Sequence, residues 1–255
     1  MSAIDVGYCS LGYRIQGAGE PSVTLLHGLA TTKENWDPIA GLLAERHRVL
    51  ALDMRGHGES ETPAGNWTRA DLANDVIAAL DALGFARTIL VGHSAGGVIA
   101  LEVALRHPEY VAGLVLAATA SECNERAGQW YEAMAKKAEE QGAASVLPDF
   151  GWDPNVPPPF EATGFAKASR CMATLYPSPL TPALSSIDCP TSIVVGTNDF
   201  IGVGGSVIMS RKIPNARLLI REGRSHSVHR EEPALIAELV SQDATSAKED
   251  RRTKS

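Results

Sequence analysis

Residues 88–101 read Thr88-Ile-Leu-Val-Gly92-His-Ser94-Ala-Gly-Gly97-Val-Ile-Ala-Leu101. A Gly-x-Ser-x-Gly string would arise by chance in roughly one of seven chains of this glycine and serine content, so its setting has to decide what it is. The setting is specific. A short apolar run rich in β-branched residues leads into the serine, and a helical stripe of Val98, Leu101 and Leu105 follows it, with Pro108 just past its end. A serine between a buried strand and a helix sits on a tight, strained turn with its hydroxyl exposed above the sheet. Gly92 and Gly96 suit that turn, since a side chain there would collide where strand and helix come close. A structural turn serine is the competing reading.

Similar apolar runs recur outward from this point: residues 22–26, 48–53, 111–116, 191–196 and 216–220. They lack clean alternation, as expected of strands covered on both faces in a parallel sheet. Between them, residues 70–83 place Leu72, Val76, Ala79, Leu80 and Leu83 on one helical face, and Gly84 stops the helix. The alternation predicts an open, mostly parallel sheet with helices on both faces. Residues 121–186 break the rhythm. They carry no convincing strand but hold 7 of the chain's 14 aromatic residues, and eight of its 15 prolines fall between Pro148 and Pro182. That composition predicts a helical insertion over the carboxyl edge of the sheet rather than a disordered linker.

A serine hydroxyl needs a base, and the base needs a carboxylate to hold its tautomer and stabilise the imidazolium. Of the seven histidines, only those in Arg224-Ser-His226-Ser-Val-His229 follow the last strand at the same edge. Asp199, in Gly196-Thr-Asn-Asp199, ends the preceding strand. The order Ser94, Asp199, His226 is the one expected of a serine on a strand–turn–helix elbow. Glu122, just after an earlier strand, is a rival acid; Asp199 could instead cap a helix starting near Gly202, and His229 is the alternative base. Oxyanion donors are expected from the backbone N–H groups of Ala95 and, after His27-Gly28, of Leu29. His93 and the pair Arg55 and His57 read as structural. Trp130, Trp152, Phe160 and Tyr176 either line a substrate pocket or form the insertion's own core, and Lys167 and Arg170 either meet a substrate carboxylate or face solvent.

These residues resemble the α/β-hydrolase superfamily along nearly the whole chain. His27-Gly28-Leu29, followed by Trp36 and Pro38, resembles its oxyanion loop, and Asp53-Met-Arg-Gly-His-Gly-Glu-Ser60 its Asp-x-Arg-Gly-x-Gly-x-Ser turn. Residues 92–97 resemble the nucleophile elbow, residues 189–199 the acid segment, and residues 223–233, with Glu231 and Pro233, the histidine loop. Two departures are Gly223-Arg-Ser-His226, where the family usually has Gly-x-Gly-His, and Phe200-Ile-Gly202, where a proline often follows the acid. The resemblance implies the α/β-hydrolase fold with a small helical cap inserted after the sixth strand. On that reading residues 1–120 and 187–242 form the core, 121–186 the cap, and 243–255 a frayed tail after a short final helix. It implies a serine hydrolase in the manner of enol-lactonases, small carboxylesterases and C–C bond hydrolases, with no cofactor and no metal. Perhydrolase or lyase chemistry on the same triad, or a ligand-binding regulator with little turnover, are the other readings it allows.

Bulk properties agree. At 255 residues and 44% apolar content, the chain can bury roughly 70–75% of its unfolded surface in one core. A net charge of −7, with no long basic run, argues against nucleic acid and anionic membranes as partners and leaves a small-molecule substrate. Cys9, Cys123, Cys171 and Cys189 are scattered, as reduced thiols in a cytoplasmic protein would be, and residues 1–8 show no basic-then-apolar signal-peptide pattern.

Overall fold

The computed structural model describes residues 2–254, with side chains described through Thr245. Its sheet has eight strands: β1 (Ala3–Asp5), β2 (Ser10–Gln16), β3 (Ser22–Leu26), β4 (Val49–Leu52), β5 (Thr88–His93), β6 (Val111–Ala117), β7 (Thr191–Asn198) and β8 (Ala216–Ser225). Their spatial order is β1-β2-β4-β3-β5-β6-β7-β8, antiparallel at β1–β2 and β2–β4 and parallel from there on. β1 and β2 lie outside the six expected strands. The signal for β2 is the alternation of Leu11, Tyr13 and Ile15 with Ser10, Gly12, Arg14 and Gln16.

The central strands are buried on both faces, so alternate residues feed two cores. Leu26, Leu90, Leu114 and Leu116 face one; Val23, Leu25, Ile89, Val91 and Val115 face the other. The first core holds helices α2 (Arg69–Leu83) and α3 (Ala95–Arg106), and the second holds α1 (Asp37–Ala44). Thr68 caps α2 in a reciprocal capping box with Asp71, and Gly84 ends it at φ 68°.

The insertion follows β6 as expected. It contains α4 (Glu125–Gln141), a 3-10 segment (Ala143–Phe150), α5 (Ala162–Ala173) and a second 3-10 segment (Thr181–Ser186). It has no core of its own: Phe165, Met172 and Leu175 share the first core with Leu26, Met54 and Trp67. Polar ties reinforce the contact. Gly58 N–H donates to the Pro159 carbonyl at 2.7 Å, and Arg69 reaches Glu102, Thr174 Oγ1 and the Ser178 carbonyl at 2.6–2.8 Å.

After β7 come α6 (Gly204–Lys212), the single turn α7 (Val228–Glu231) and α8 (Pro233–Lys254). The expected short final helix and frayed tail from residue 243 are corrected here. α8 continues through that point because Asp243 and Ala244 are buried, with Ser192 Oγ and Arg217 bonding to Asp243 at 2.8–3.0 Å. The tail's side chains from 246 on, and Ser255, lie outside the described residues.

α3 packs directly against β3. A Cβ on Gly96 would lie 2.1 Å from the Leu26 carbonyl oxygen and 2.6 Å from that of His27. Backbone cannot yield as a side chain does. Gly96→Ala is expected to cost about 3 kcal/mol or more. Gly41→Ala, on α1 with nothing within 4 Å, is expected to gain about 0.5–1 kcal/mol. Urea denaturation of the two variants checks this, and equal effects would contradict it.

Candidate active site

Ser94 lies between β5 and α3, at the helix N-cap, with φ 51° and ψ −117°, a conformation that non-glycine residues rarely adopt. It is held at both ends by β6 and the residues after it. Its N–H donates to the Ala117 carbonyl at 3.0 Å, and Thr119 Oγ1 donates to its carbonyl at 2.7 Å. The side chain opens into a cavity of about 640 Å³ roofed by the insertion.

Asp199 follows β7 and His226 follows β8, so neighbouring parallel strands deliver both to one edge. His226 Nδ1 and Asp199 Oδ1 are 2.8 Å apart, and the Ile201 N–H donates to the same oxygen at 3.0 Å. The Asp199 carboxylate is fully buried and the imidazole is 17% exposed. With a carboxylate on Nδ1, the proton sits there and Nε2 is left as the basic nitrogen. Of the two candidate acids, Asp199 is the one paired with histidine; Glu122 stands in the cavity wall. His229 is completely buried, with Asn35 Nδ2 donating to its Nε2 at 2.9 Å.

The early loop lies against the elbow. A Cβ at Gly28 would come within 3.3 Å of Ser94 Cβ and 2.8 Å of His93 Nδ1, so this position has to be glycine. Leu29 is next, with Ala30 at φ 59°. Neither the Leu29 N–H nor the Ala95 N–H donates to another group among the described residues. Ala95 is the first residue of α3, where an N–H has no helical partner and the helix dipole is positive.

The insertion divides its aromatics. Trp130 lines the cavity. Trp152 and Tyr176 do not: Trp152 lies under the Arg230 guanidinium, 5.4 Å from its ring centre, and Tyr176 is 48% exposed. Phe160 belongs to the core, stacked on Phe165 at 5.1 Å. Lys167 donates to the Pro63 carbonyl at 2.6 Å and Arg170 pairs with Glu132 and Glu139, so both cations are engaged within the chain. Sequence reasoning missed Tyr131 and the pair Phe200 and Ile201 as cavity walls. The signal was available for the pair, two large apolar residues directly after Asp199; the structure leaves them 62% and 40% exposed.

Four histidines around the site are buried and neutral. Burial pushes His27 down to about 4 and, with His27 nearby, His57 to about 3. Burial with His226 nearby pushes His229 to about 3, and burial beside His229 and His226 holds His93 well below its ordinary value. His27 is fully satisfied, accepting from the Met54 N–H at 2.9 Å and donating to the Gly28 carbonyl at 2.8 Å. Arg55 pairs with buried Asp75, and His57 is completely buried.

These shifts set a sign for stability. A histidine titrates near 6.5 when unfolded, so below that pH the unfolded chain binds protons that the folded one refuses. Stability is then present above pH 6.5 and lost as pH falls toward 4, by up to about 1.4 kcal/mol per pH unit for each histidine. Asp243 and Asp75 act oppositely, because burial pushes the Asp243 carboxyl up to about 6 and raises that of Asp75 as well; two carboxyls do not reverse four imidazoles. The urea midpoint is expected to fall between pH 7 and pH 5, and an unchanged midpoint would contradict it.

A family model described as "Alpha/beta hydrolase family" matches residues 25–239. The enol-lactonase from Burkholderia xenovorans LB400 superposes with a TM-score of 0.88 at 25% identity, covering 96% of this chain and 100% of that one. The 2-(acetamidomethylene)succinate hydrolase of Mesorhizobium japonicum is 26% identical over 93% of this chain and 92% of its own. An uncharacterized Mycobacterium tuberculosis protein is 36% identical over 104 residues, which are 41% of this chain and only 30% of that protein's length. Among the described residues no helix is long and apolar enough to cross a membrane. With its sheet order, its strained serine and a family match over residues 25–239, the chain belongs to the α/β-hydrolase family.

Proposed function

We propose that this protein is a serine hydrolase that cleaves a small ester or lactone with an apolar portion through an acyl-Ser94 intermediate. The observation that carries the reading is the 2.8 Å hydrogen bond between His226 Nδ1 and Asp199 Oδ1 at the edge where Ser94 opens into its cavity. Ser94 Oγ attacks the substrate carbonyl carbon as His226 Nε2 takes its proton, and Asp199 stabilises the imidazolium. The Leu29 and Ala95 N–H groups hold the oxyanion; losing one such donor typically costs roughly 100- to 1,000-fold in rate. Collapse breaks the carbonyl carbon–oxygen bond, and His226 returns the proton to the leaving alkoxide. In a lactone that alcohol stays tethered to the acyl group. Water then attacks the acyl-Ser94 ester, giving its proton to His226, and the acid departs with Ser94 restored. This chemistry calls on no cofactor or metal ion.

Val98, Trp130, Tyr131, Leu175 and Phe200 give the cavity apolar walls, which favours a substrate with an apolar portion. The likeness to the enol-lactonase points the same way. The four cysteines are free thiols, which suits a reducing cytoplasm.

Intact mass after exposure to a fluorophosphonate tests the serine. One adduct is expected on the wild-type chain and none on Ser94→Ala or His226→Ala, while Asp199→Asn lowers ester turnover by roughly 10⁴-fold. A folded wild-type chain that takes no label would overturn the reading in favour of a ligand-binding regulator.

A further inference from the structure

Five rings run in file through the site. Trp36 meets His229 at 4.9 Å between centroids, and His229 stacks on His93 at 3.9 Å and 30°. His93 meets His226 at 4.9 Å, and Phe200 closes the far side of His226 at 4.3 Å. His93 stands in the middle. Its Nε2 lies 3.0 Å from the His226 carbonyl oxygen, which can only accept, so Nε2 carries the proton and donates. Its Nδ1 is then a bare lone pair, buried and without a partner among the described residues.

As packing, histidine is a poor choice for this slot. Phenylalanine would fill it without an orphan nitrogen, whose burial unpaired is costly. What histidine adds over phenylalanine is the Nε2–H. With it, the residue ties together three segments: His93 is joined to Ser94 by the chain, to the His226 backbone by the Nε2–H hydrogen bond, and its ring lies against Gly28 in the loop before Leu29. The ring is itself gripped from behind. His229 stacks on it, and Asn35, from the segment after that same loop, fixes His229 at 2.9 Å.

We propose that His93 is a positioning residue whose Nε2–H fixes the backbone of His226 relative to Ser94, with His229 and Asn35 holding the His93 ring in place. The inference rests on the serine-hydrolase reading. His93 takes no proton in the reaction; it acts through His226, by keeping that ring within reach of the Ser94 hydroxyl. Burial keeps both His93 and His229 uncharged, so neither opposes the imidazolium that forms on His226.

Three variants separate the donor from the packing. His93→Phe keeps a ring and removes the donor, His93→Gln places an amide N–H near the Nε2 position, and His93→Asn is too short to do so. The readouts are the second-order rate of fluorophosphonate labelling, kcat and KM for p-nitrophenyl butyrate, and the thermal midpoint. The Phe and Asn variants are expected to lose about 10- to 100-fold in labelling rate and kcat with KM little changed, the scale set by an ångström-level misplacement. The Gln variant is expected to recover most of that loss. A Phe variant labelled at the wild-type rate, or a Gln variant no better than Asn, would overturn the proposal. If the Phe variant does not fold, the comparison of Gln with Asn decides alone. A wild-type chain that takes no label overturns the hydrolase reading, and this one with it.

Discussion

The close approach of α3 to β3 and β5 is the constraint on which the rest of this structure depends. Gly92 and Gly96 leave no room for a Cβ between strand and helix. The helix can therefore start directly above the sheet, and Ser94 is forced to φ 51°. Such a conformation costs of order 1–3 kcal/mol and persists only where its surroundings over-determine it. Here they do. Ala117 and Thr119 bind the two backbone ends of Ser94, and the helix packs into the first core through Val98, Ile99 and Leu101. The strain is spent on presenting one hydroxyl to the cavity.

Around that serine the chain gathers five imidazoles, and their environments divide them. His27, His57, His93 and His229 are buried with no carboxylate bonded to them among the described residues and stay neutral, while His226 is bonded to one. Burying an uncharged imidazole is tolerable where its nitrogens find partners, as at His27, and costly where one does not, as at His93. The insertion is bound to the same frame. The turn at residues 53–60 meets it through the Gly58 to Pro159 hydrogen bond, and Arg69 spans both parts. A roof seated on the core in this way shapes the cavity without forming a separate domain.

Much of this was legible in the sequence, for physical reasons. Parallel strands buried on both faces read as unbroken apolar runs, and their order fixes which loops share an edge. That is why Asp199 and His226, 27 residues apart, can be paired from the sequence. Side-chain direction in the insertion was not legible. Trp130 and Trp152 read alike as aromatics, yet Trp130 lines the cavity and Trp152 lies under the Arg230 guanidinium, a difference set by tertiary contacts that local periodicity does not carry. The end of α8 was misread for a related reason. A polar run looks solvated until an acceptor such as Asp243 finds Ser192 and Arg217. The exposed pair Phe200 and Ile201 was visible as a departure from the family pattern, but the place of Phe200 beside His226 depends on the turn after β7.

The central claim is that Ser94 forms a covalent acyl intermediate. Rapid-quench mass spectrometry of the protein mixed with p-nitrophenyl butyrate tests it most directly. The account predicts one butyryl group per chain, on the peptide containing Ser94, appearing before steady-state release of p-nitrophenol. Ester turnover with no acylated peptide, or with the acyl group on another residue, would contradict it.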